Sequence, residues 1–331
     1  MGECTDLVVW RPQGLYCPAG DFYIDPWRPV QRAVLTHAHA DHARAGHQHY
    51  LTAAPGAGVL RERLGDISLQ TLAYGEVLRI GAVSVSLHPA GHVLGSAQVR
   101  LEHRGEVWVV SGDYKLDADG TCAPFEPVRC HCFITESTFG LPIYRWPSPA
   151  RVLDEIRSWW AANAAEGRPS LLYAYSLGKA QRLLHGLREG PGPLVVHPSV
   201  AAVNRAYVAA GVCLPPTLAL GPDLTAETLA RALVIAPPAA SRSGWAHRLG
   251  DARDGCASGW MLLRGTRRRQ GVDRGFPLSD HADWPALLQA IGDSGAARVI
   301  VTHGYEAAMV RWLHERGWEA GALRTEYGDE G

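Results

Sequence analysis

The sequence predicts a mixed α/β protein, and two patterns along the chain indicate this class. Strand-rich segments separated by Gly-Asp and Gly-Glu turns fill roughly the first 140 residues. Beyond them, apolar residues recur at helical spacing and alternate with short runs typical of buried parallel strands. The alternation predicts a small α/β cap domain over 145–275, inserted into a first domain that consists of 1–144 and 276–331.

Strands of the first domain are predicted to end at polar residues. The run Ala33–Leu35 leads directly into a histidine-rich segment, and Phe133–Ile134 leads into Thr135-Glu136. Three further strands and the polar residues after them are Val83–Leu87 with His92, Glu106–Val110 with Asp113, and Arg298–Val301 with His303. Gly91 would let the chain turn sharply and present His92. Taken singly, each polar residue is either a ligand or a satisfied buried polar group.

The cap begins with a clear helix signal. Ser148 offers an N-cap before Pro149, and the apolar spacing that follows includes Trp159 and Trp160. We expect these tryptophans to be core residues, with a base-stacking surface as the alternative. The other predicted cap elements are a strand Leu171–Tyr175, a helix ending at Leu187, and parallel strands Leu194–Val196 and Leu233–Ala236.

Composition fits an enzyme that works in the cytoplasm. The chain has 331 residues, 47% of them hydrophobic, which is enough for one large core or two smaller ones. No apolar run reaches the roughly 18 residues of a membrane span, and the N-terminus does not resemble a signal peptide. The formal net charge of −1 gives no overall attraction to nucleic acid, so phosphate binding would need local clusters.

The cysteines predict reduced thiols. Their number, seven, is odd, and they are scattered through the chain, which argues against a disulfide framework. Cys130-His131-Cys132 fits no common zinc spacing and runs into the strand pattern Phe133–Ile134, so buried structure is the favoured interpretation.

The most informative segment is an H-x-H-x-D-H cluster at the end of the Ala33–Leu35 strand. It supplies His37, His39, Asp41 and His42 within six positions. Imidazole and carboxylate ligands suit zinc, manganese or iron, and a turn after a strand can direct alternate side chains at two neighbouring ions. Such a cluster is hard to explain by packing alone and predicts a dinuclear metal hydrolase.

These residues resemble the metal site of the metallo-β-lactamase fold, an αββα sandwich. Asp25 matches that fold's first conserved acid, and three further segments are similar to the additional motifs of the β-CASP nucleases, whose inserted α/β domain is the cap. The segments are Thr135–Thr138, Leu278–Asp283 and Val301–Gly304. The opening Gly14–Gly20 and the run Arg264–Arg269 most resemble bacterial DNA exonucleases associated with an ATP-dependent DNA ligase and a helicase. His303 is the residue that RNA-directed members carry, whereas eukaryotic DNA-directed members tend to have valine there.

The resemblance implies a mechanism of phosphodiester hydrolysis. His37, His39 and His92 would hold one ion, and Asp41, His42 and His303 a second. Asp113 would bridge the two ions, zinc or manganese, and Asp25 would orient a ligating histidine. The pair of ions would make a water molecule more acidic at the phosphorus. His281 would protonate the leaving 3′ oxygen to leave a 5′-phosphate, and Glu136 would fix the tautomer of His281. Asp41 is a further candidate catalytic residue.

Candidate phosphate contacts lie in the cap. Ser176, Gly178 and Lys179 sit where a strand gives way to a helix, which suits an anion. An N-cap with a solvated lysine accounts for them about as well. The other candidates are Ser241, Arg242, Ser243, Arg264, Arg267 and Arg274. The arginines are either an entry groove or a solvated surface.

The predicted function is metal-dependent nuclease activity, with DNA favoured over RNA and an exonuclease in DNA repair favoured within that. An RNA-processing β-CASP ribonuclease is the alternative. A small-molecule hydrolase of the same fold would have no use for Glu136 and His281. A nucleic-acid-binding subunit without activity would be expected to lack ligands, and none is missing from the motifs.

Overall fold

The computed structural model describes residues 6–221, 224–242 and 244–323. The chain divides into two compact units. The first comprises the described residues up to Ala118, then Cys122–Arg145, and the chain from His281 onward. The second comprises Asp119–Thr121 and Trp146–Asp280.

The strands are numbered β1 to β19 in chain order. Their bounds are Val9–Arg11, Gly14–Cys17, Phe22–Ile24, Arg32–Val34, His49–Ala53, Leu69–Leu72, Val77–Ile80, Val83–Pro89, Ala97–His103, Glu106–Val110, Cys132–Ser137, Ser170–Tyr173, Leu194–Val196, Leu218–Ala219, Leu233–Ala236, Arg253–Ala257, Arg274–Phe276, Arg298–Gly304 and Glu319–Ala322. The α-helices are numbered α1 to α9. Their bounds are Ala57–Leu64, Pro149–Ala165, Lys179–Gly186, Pro198–Ala209, Ala226–Ala230, Gly244–His247, Arg264–Gln270, Trp284–Ser294 and Glu306–His314.

The first unit is built on two mixed sheets. One has the order β1-β2-β3-β4-β5-β6, and the other has the order β19-β18-β11-β10-β9-β8-β7. In the second sheet β10, β11 and β18 run parallel to one another, whereas β7 to β10 form antiparallel pairs. Because the parallel strands share a direction, the residues that follow their carboxyl ends meet at one edge.

Alternation along the central strands separates two apolar cores in this unit. Trp108 and Val110 of β10 belong to a core that also contains Leu15 and Ile24 from the first sheet. Val109, between them, belongs to a core with buried residues of α8 and α9, such as Leu287 and Leu313. A strand with both faces covered needs apolar residues at consecutive positions, as residues 107–110 of β10 show.

The second unit is a parallel sheet with helices. Its strand order is β14-β13-β15-β12-β16-β17, and every pair is parallel. Helix α2 begins where the sequence predicts, because the Ser148 side chain accepts a hydrogen bond from the Arg151 backbone N–H. Trp159 and Trp160 belong to the apolar core of this unit, which confirms the core interpretation of the tryptophans.

The main strands lie close to where the sequence predicts them. Strands β8, β10, β12, β13, β15 and β18 confirm the predicted runs, with ends shifted by at most a few residues. Cys130 and Cys132 are buried next to or within β11, which confirms their structural interpretation. Within the described residues, no helix combines the length and apolar character that a membrane span requires.

Candidate metal centre

The strand ends of the first unit bring together the polar residues that the sequence singled out. The histidine-rich segment follows β4, and His92 follows β8 after Gly91, whose φ of 73° a glycine adopts readily. Asp113 follows β10, and His303 is the second-to-last residue of β18. The candidate ligands thus come from strands far apart in the sequence.

The first group comprises His37, His39, His92 and Asp113, whose ligand atoms all lie within 4.8 Å of one another. Nδ1 of His39 is 3.1 Å from Nε2 of His37 and 3.0 Å from Nε2 of His92. Tetrahedral zinc with Zn–N bonds of about 2.0–2.1 Å would set such nitrogens about 3.3 Å apart. The spacing of the three imidazoles therefore suits one metal ion.

The second group comprises Asp41, His42 and His303, again with ligand atoms within 4.8 Å of one another. The rings of His42 and His303 are stacked, with centroids 5.5 Å apart. Oδ2 of Asp113 lies 3.4 Å from Nε2 of His37 in the first group and 3.4 Å from Nε2 of His42 in the second. One carboxylate oxygen is thus shared between the two groups.

Asp25 fixes the orientation of this arrangement. Its carboxylate accepts hydrogen bonds from the Thr36 backbone N–H at 2.8 Å and from the Thr36 hydroxyl at 2.5 Å. It also lies 2.7 Å from Nδ1 of His42. Asp25 and His303 both have positive φ, 43° and 56°, a backbone region that costs energy for residues other than glycine. The surrounding fold holds these two residues in place against that strain.

Hydrogen bonds assign the tautomers of two histidines. In its neutral form His42 carries its proton on Nδ1, which faces the Asp25 carboxylate, and Nε2 then presents a lone pair. The Thr36 hydroxyl donates to Asp25, so it accepts from Nδ1 of His37, 3.0 Å away, and Nε2 of His37 is again a lone pair. Both lone pairs face the Asp113 carboxylate, an arrangement that a cation between them stabilises. The donor set therefore fits divalent metal ions.

When no metal is bound, burial and the neighbouring charged groups determine the protonation of the candidate ligands. Burial alone would lower the pKa of His42, but the carboxylates of Asp113 and Asp25 outweigh it and raise that pKa well above its usual value. Burial would raise the pKa of Asp113, yet the imidazoles of His42 and His281 hold it well below its usual value. For His37 burial dominates, and its pKa falls well below the ordinary value. Because a proton on His42 occupies the place of a cation, metal binding must release it.

A second pair of side chains lies at the edge of the centre. Nδ1 of His281 is 2.9 Å from Oε2 of Glu136, and the Tyr114 backbone N–H donates to Oε1 of Glu136 at 2.8 Å. Glu136 is 2% exposed, whereas the side chain of His281 is 22% exposed. Nδ1 of His281 lies 4.0 Å from Oδ2 of Asp113. The pair adjoins the shared carboxylate, and His281 is its accessible member.

A cavity of about 40 Å³ opens beside these groups. Its polar lining includes Asp41, His42, Asp113, Glu136 and His303, and Trp27 and Leu15 contribute apolar surface. Because a cavity needs roughly 10–15 Å³ to hold one water, this one has room for an ion with water.

Sequence reasoning missed the groups that support the ligands. Thr36 holds Asp25 and His37, and the Ser96 hydroxyl accepts the His92 backbone N–H at 3.1 Å. The Arg63 guanidinium donates to the carbonyl of Ala38, inside the histidine-rich segment. Thr36 adjoins the motif and was within reach of sequence analysis. Ser96 and Arg63 carried no signal, because their roles depend on backbone groups.

Of the predicted phosphate contacts in the second unit, Gly178 is buried and its backbone N–H donates to Oε1 of Gln181 at 2.8 Å, Ser176 is half-buried, and the described charged side chains other than Lys179 are exposed. Ser241 is exposed and its hydroxyl donates to the Pro238 carbonyl. Arg264 and Arg274 are exposed on α7 and β17. Ser243 and the side chains of Arg242 and Arg267 lie outside the described residues. Phosphate binding at all these positions stays a prediction.

Lys179 is the exception. It is 3% exposed, and its Nζ donates to Oδ2 of Asp280 at 2.6 Å. Arg182, one helical turn further along α3, lies 3.2 Å from Oδ1 of Asp280 and also pairs with Asp119. The ammonium thus has a buried carboxylate partner within the second unit, which the sequence did not indicate. A phosphate contact by Lys179 stays a prediction.

Fold and site together define a mixed α/β protein with a histidine- and aspartate-rich candidate centre for two metal ions. No family profile matches the chain. A probable DNA ligase of Opitutus terrae is 35% identical over 314 residues, which cover 94% of this chain and 30% of that protein. Ribonuclease TTHA0252 of Thermus thermophilus is 29% identical over 197 residues, 50% of this chain and 44% of the ribonuclease.

A third relative is the transcription termination factor FttA of Methanothermobacter thermautotrophicus. It is 33% identical over 129 residues, 36% of this chain and 20% of the factor. The chain thus spans less than half the length of each of these relatives. Among solved structures, a protein of unknown function from Enterococcus faecalis V583 superimposes with a TM-score of 0.64 at 13% identity. That match covers 90% of this chain and 80% of the other, and it shows a shared fold.

Proposed function

We propose that this protein is a metal-dependent nuclease of the metallo-β-lactamase fold and β-CASP family that hydrolyses phosphodiester bonds. The observation that carries the proposal is the juxtaposition of the two ligand groups with the Glu136–His281 pair. Metal binding alone would not require that pair. The names of the relatives, a ribonuclease among them, support a nuclease.

In this proposal His37, His39 and His92 would hold one divalent ion, Asp41, His42 and His303 would hold the other, and Asp113 would serve both. When bound, zinc or manganese ions supply charge stabilisation at phosphorus and make a water molecule more acidic. Asp25 keeps Nδ1 of His42 protonated, so that Nε2 is the ligating atom. The inserted segment 146–280 is the β-CASP cap.

In this proposal His281 is the general acid of the reaction. Because Glu136 faces Nδ1, the proton available for transfer is on Nε2, and the carboxylate stabilises the imidazolium form. As hydroxide bonds to phosphorus and the bond to the 3′ oxygen breaks, Nε2 of His281 delivers a proton to that oxygen. The products are a 5′-phosphate and a 3′-hydroxyl.

We favour DNA as the substrate and an exonuclease in DNA repair as the role. The supporting observation is the match of 94% of this chain to part of a probable DNA ligase. A nuclease segment within a ligase polypeptide would deliver the 5′-phosphate that ligation needs. Functional association with an ATP-dependent DNA ligase is part of this proposal and is supported by that match, and association with a helicase stays a prediction.

An RNA-processing nuclease is the second candidate. The matches to a ribonuclease and to a transcription termination factor favour it, as does the histidine at position 303.

Digestion of matched end-labelled oligonucleotides distinguishes the candidates. Metal-free protein is reconstituted with manganese or zinc and incubated with single-stranded DNA and RNA of one sequence, with Asp113→Ala as the inactive control. We expect mononucleotides with 5′-phosphates from DNA. Efficient cleavage of RNA with intact DNA selects the second candidate, and no cleavage of either by metal-loaded protein refutes the nuclease proposal.

A further inference from the structure

Charge is distributed unevenly along this nearly neutral chain. Residues 146–280 contain 16 Lys and Arg against 10 Asp and Glu, a net charge of +6, whereas the whole chain is −1. The remainder of the chain therefore carries −7. A cationic segment in an otherwise acidic protein attracts polyanions, and the second unit is where such attraction would act.

The sheet of this unit has a topological switch point. After β12 the chain passes β15 and enters the sheet again as β13. After β15 it passes β12 in the opposite direction along the sheet and enters again as β16. Since β12 and β15 are parallel neighbours, the two connections depart in opposite directions from adjacent strand ends. In open parallel sheets, ligands bind in the crevice outside the carboxyl ends at such a point.

Polar side chains meet across this switch point. Ser176 follows β12, and Ser199 lies in the first turn of α4 after β13, yet their hydroxyl oxygens are 2.8 Å apart. The link bridges the carboxyl end of β15, which lies between the two strands. Ser199 Oγ is also 2.8 Å from Nδ1 of His197. Two hydroxyls and an imidazole thus form one hydrogen-bonded row.

The tautomer of His197 makes it a donor. The Ser199 backbone N–H donates to Nδ1 of His197 at 3.1 Å, so Nδ1 carries no proton and Nε2 does. Burial lowers the pKa of His197, which favours the neutral ring. Trp245, from the connection after β15, packs edge-on against the imidazole with centroids 4.8 Å apart and holds it in place.

An exposed aromatic ring adjoins this row. Tyr175 directly precedes Ser176 and is 58% exposed, although Tyr173, two residues earlier, is 7% exposed. The Lys179 ammonium lies 6.0 Å from the centre of the Tyr175 ring. Exposed aromatic rings beside hydrogen-bond donors, in a segment of net positive charge, are elements of single-strand recognition, in which bases stack and phosphates accept hydrogen bonds.

We propose that the crevice at the carboxyl ends of β12, β13 and β15 binds one nucleotide of a single-stranded nucleic acid. A base stacks on Tyr175, and the adjoining phosphate accepts a hydrogen bond from Nε2–H of His197. The Ser176 hydroxyl donates to Ser199 and the Ser199 hydroxyl donates to Nδ1 of His197, so the two serines fix the imidazole in its donor form. The inference rests on the proposed nuclease function and assigns to the second unit a binding subsite for the substrate strand.

Binding is measured apart from cleavage. Metal-free protein in EDTA is titrated into fluorescein-labelled single-stranded 12-mers, one of DNA and one of RNA, and fluorescence anisotropy is recorded. Tyr175→Ala is expected to weaken binding by about 5- to 150-fold, the equivalent of about 1–3 kcal/mol for one stacked base. Tyr175→Phe keeps the ring and should bind within about twofold of the parent. His197→Ala should weaken binding by about 10-fold, through loss of a hydrogen bond to a charged phosphate.

Trp10→Ala is the matched control, because Trp10 is 49% exposed and lies in the first unit. It should leave binding unchanged, and thermal melts should show that the Tyr175 variants remain folded. Equal affinity of Tyr175→Ala and the parent, or equal loss in Trp10→Ala, overturns the proposal. If the parent then still cleaves oligonucleotides with manganese, the nuclease function stands and the crevice assignment alone has failed. A parent protein that neither binds nor cleaves overturns both.

Discussion

Nδ1 of His281 lies 2.9 Å from Oε2 of Glu136, and the second carboxylate oxygen of Glu136 accepts the Tyr114 backbone N–H. Both carboxylate oxygens are therefore engaged, and the imidazole is held with its Nδ1 toward the protein. Two residues separated by 145 positions thus form one hydrogen-bonded pair beside the candidate metal ligands.

We expect His281→Ala to retain its metal content and melting temperature and to lose about 10²–10⁴-fold in the rate of cleavage of an oligonucleotide. The loss on a nitrophenyl phosphodiester should be distinctly smaller, because that leaving group needs less protonation. Steady-state kinetics on the two substrates checks this. An equal loss on both removes His281 from the role of acid.

Asp113→Ala should lower metal occupancy at both positions, because one oxygen of Asp113 faces a histidine of each ligand group at 3.4 Å. Metal analysis by mass spectrometry after dialysis measures the occupancy. Asp66→Ala, an exposed carboxylate outside the ligand groups, is the control and should match the parent. Two tightly held ions in Asp113→Ala would contradict the shared position.

Asp25→Asn should weaken metal binding by about 10- to 100-fold without removing a ligand, since the carboxylate that fixes His42 is replaced by an amide. Competition with a chromogenic chelator gives the affinity. Asp21→Asn is a close control, because Asp21 also has a positive φ, of 53°, but lies at the surface. Equal affinities of the two variants would show that Asp25 does not act on the ligands.

Gly91→Ala should destabilise the protein by about 3 kcal/mol or more, through backbone strain and steric overlap together. A Cβ at this position would lie 2.1 Å from the Lys115 carbonyl oxygen, and φ is 73°. Gly75→Ala isolates the strain, because Gly75 has a φ of 77° and nothing within 4 Å of the added carbon. Strain alone should cost about 1–2 kcal/mol. Chemical denaturation that gives the same loss for both variants would exclude the overlap.

Lys179→Met should destabilise the second unit by about 3 kcal/mol, because it removes the ammonium that pairs with the buried Asp280 carboxylate. Arg151→Ala breaks an exposed pair with Glu155 and should cost less than about 1 kcal/mol. Thermal denaturation compares the two. If Lys179→Met melts like the parent and binds nucleic acid more weakly, Lys179 is a phosphate contact and not a structural partner.

The sequence by itself determined the main strands, the start of α2 and the set of candidate ligands. Strand β10 and the N-cap at Ser148 follow from local patterns, since alternation, capping and turn residues act over a few positions. The segment at residues 37–42 needed no partner to indicate metal chemistry, because packing alone rarely places so many potential ligands in one turn.

Only the tertiary structure decided the distances between groups and the partners of buried charges. The 3.4 Å spacings around Asp113 and the Asp280 partner of Lys179 arise from chain segments far apart in sequence. The row from Ser176 to His197 likewise depends on the order of the parallel strands, which crossovers set and local sequence does not record. Local sequence patterns determine which face of a strand or helix a residue occupies. The pairing of strands across a sheet determines which other residues it contacts.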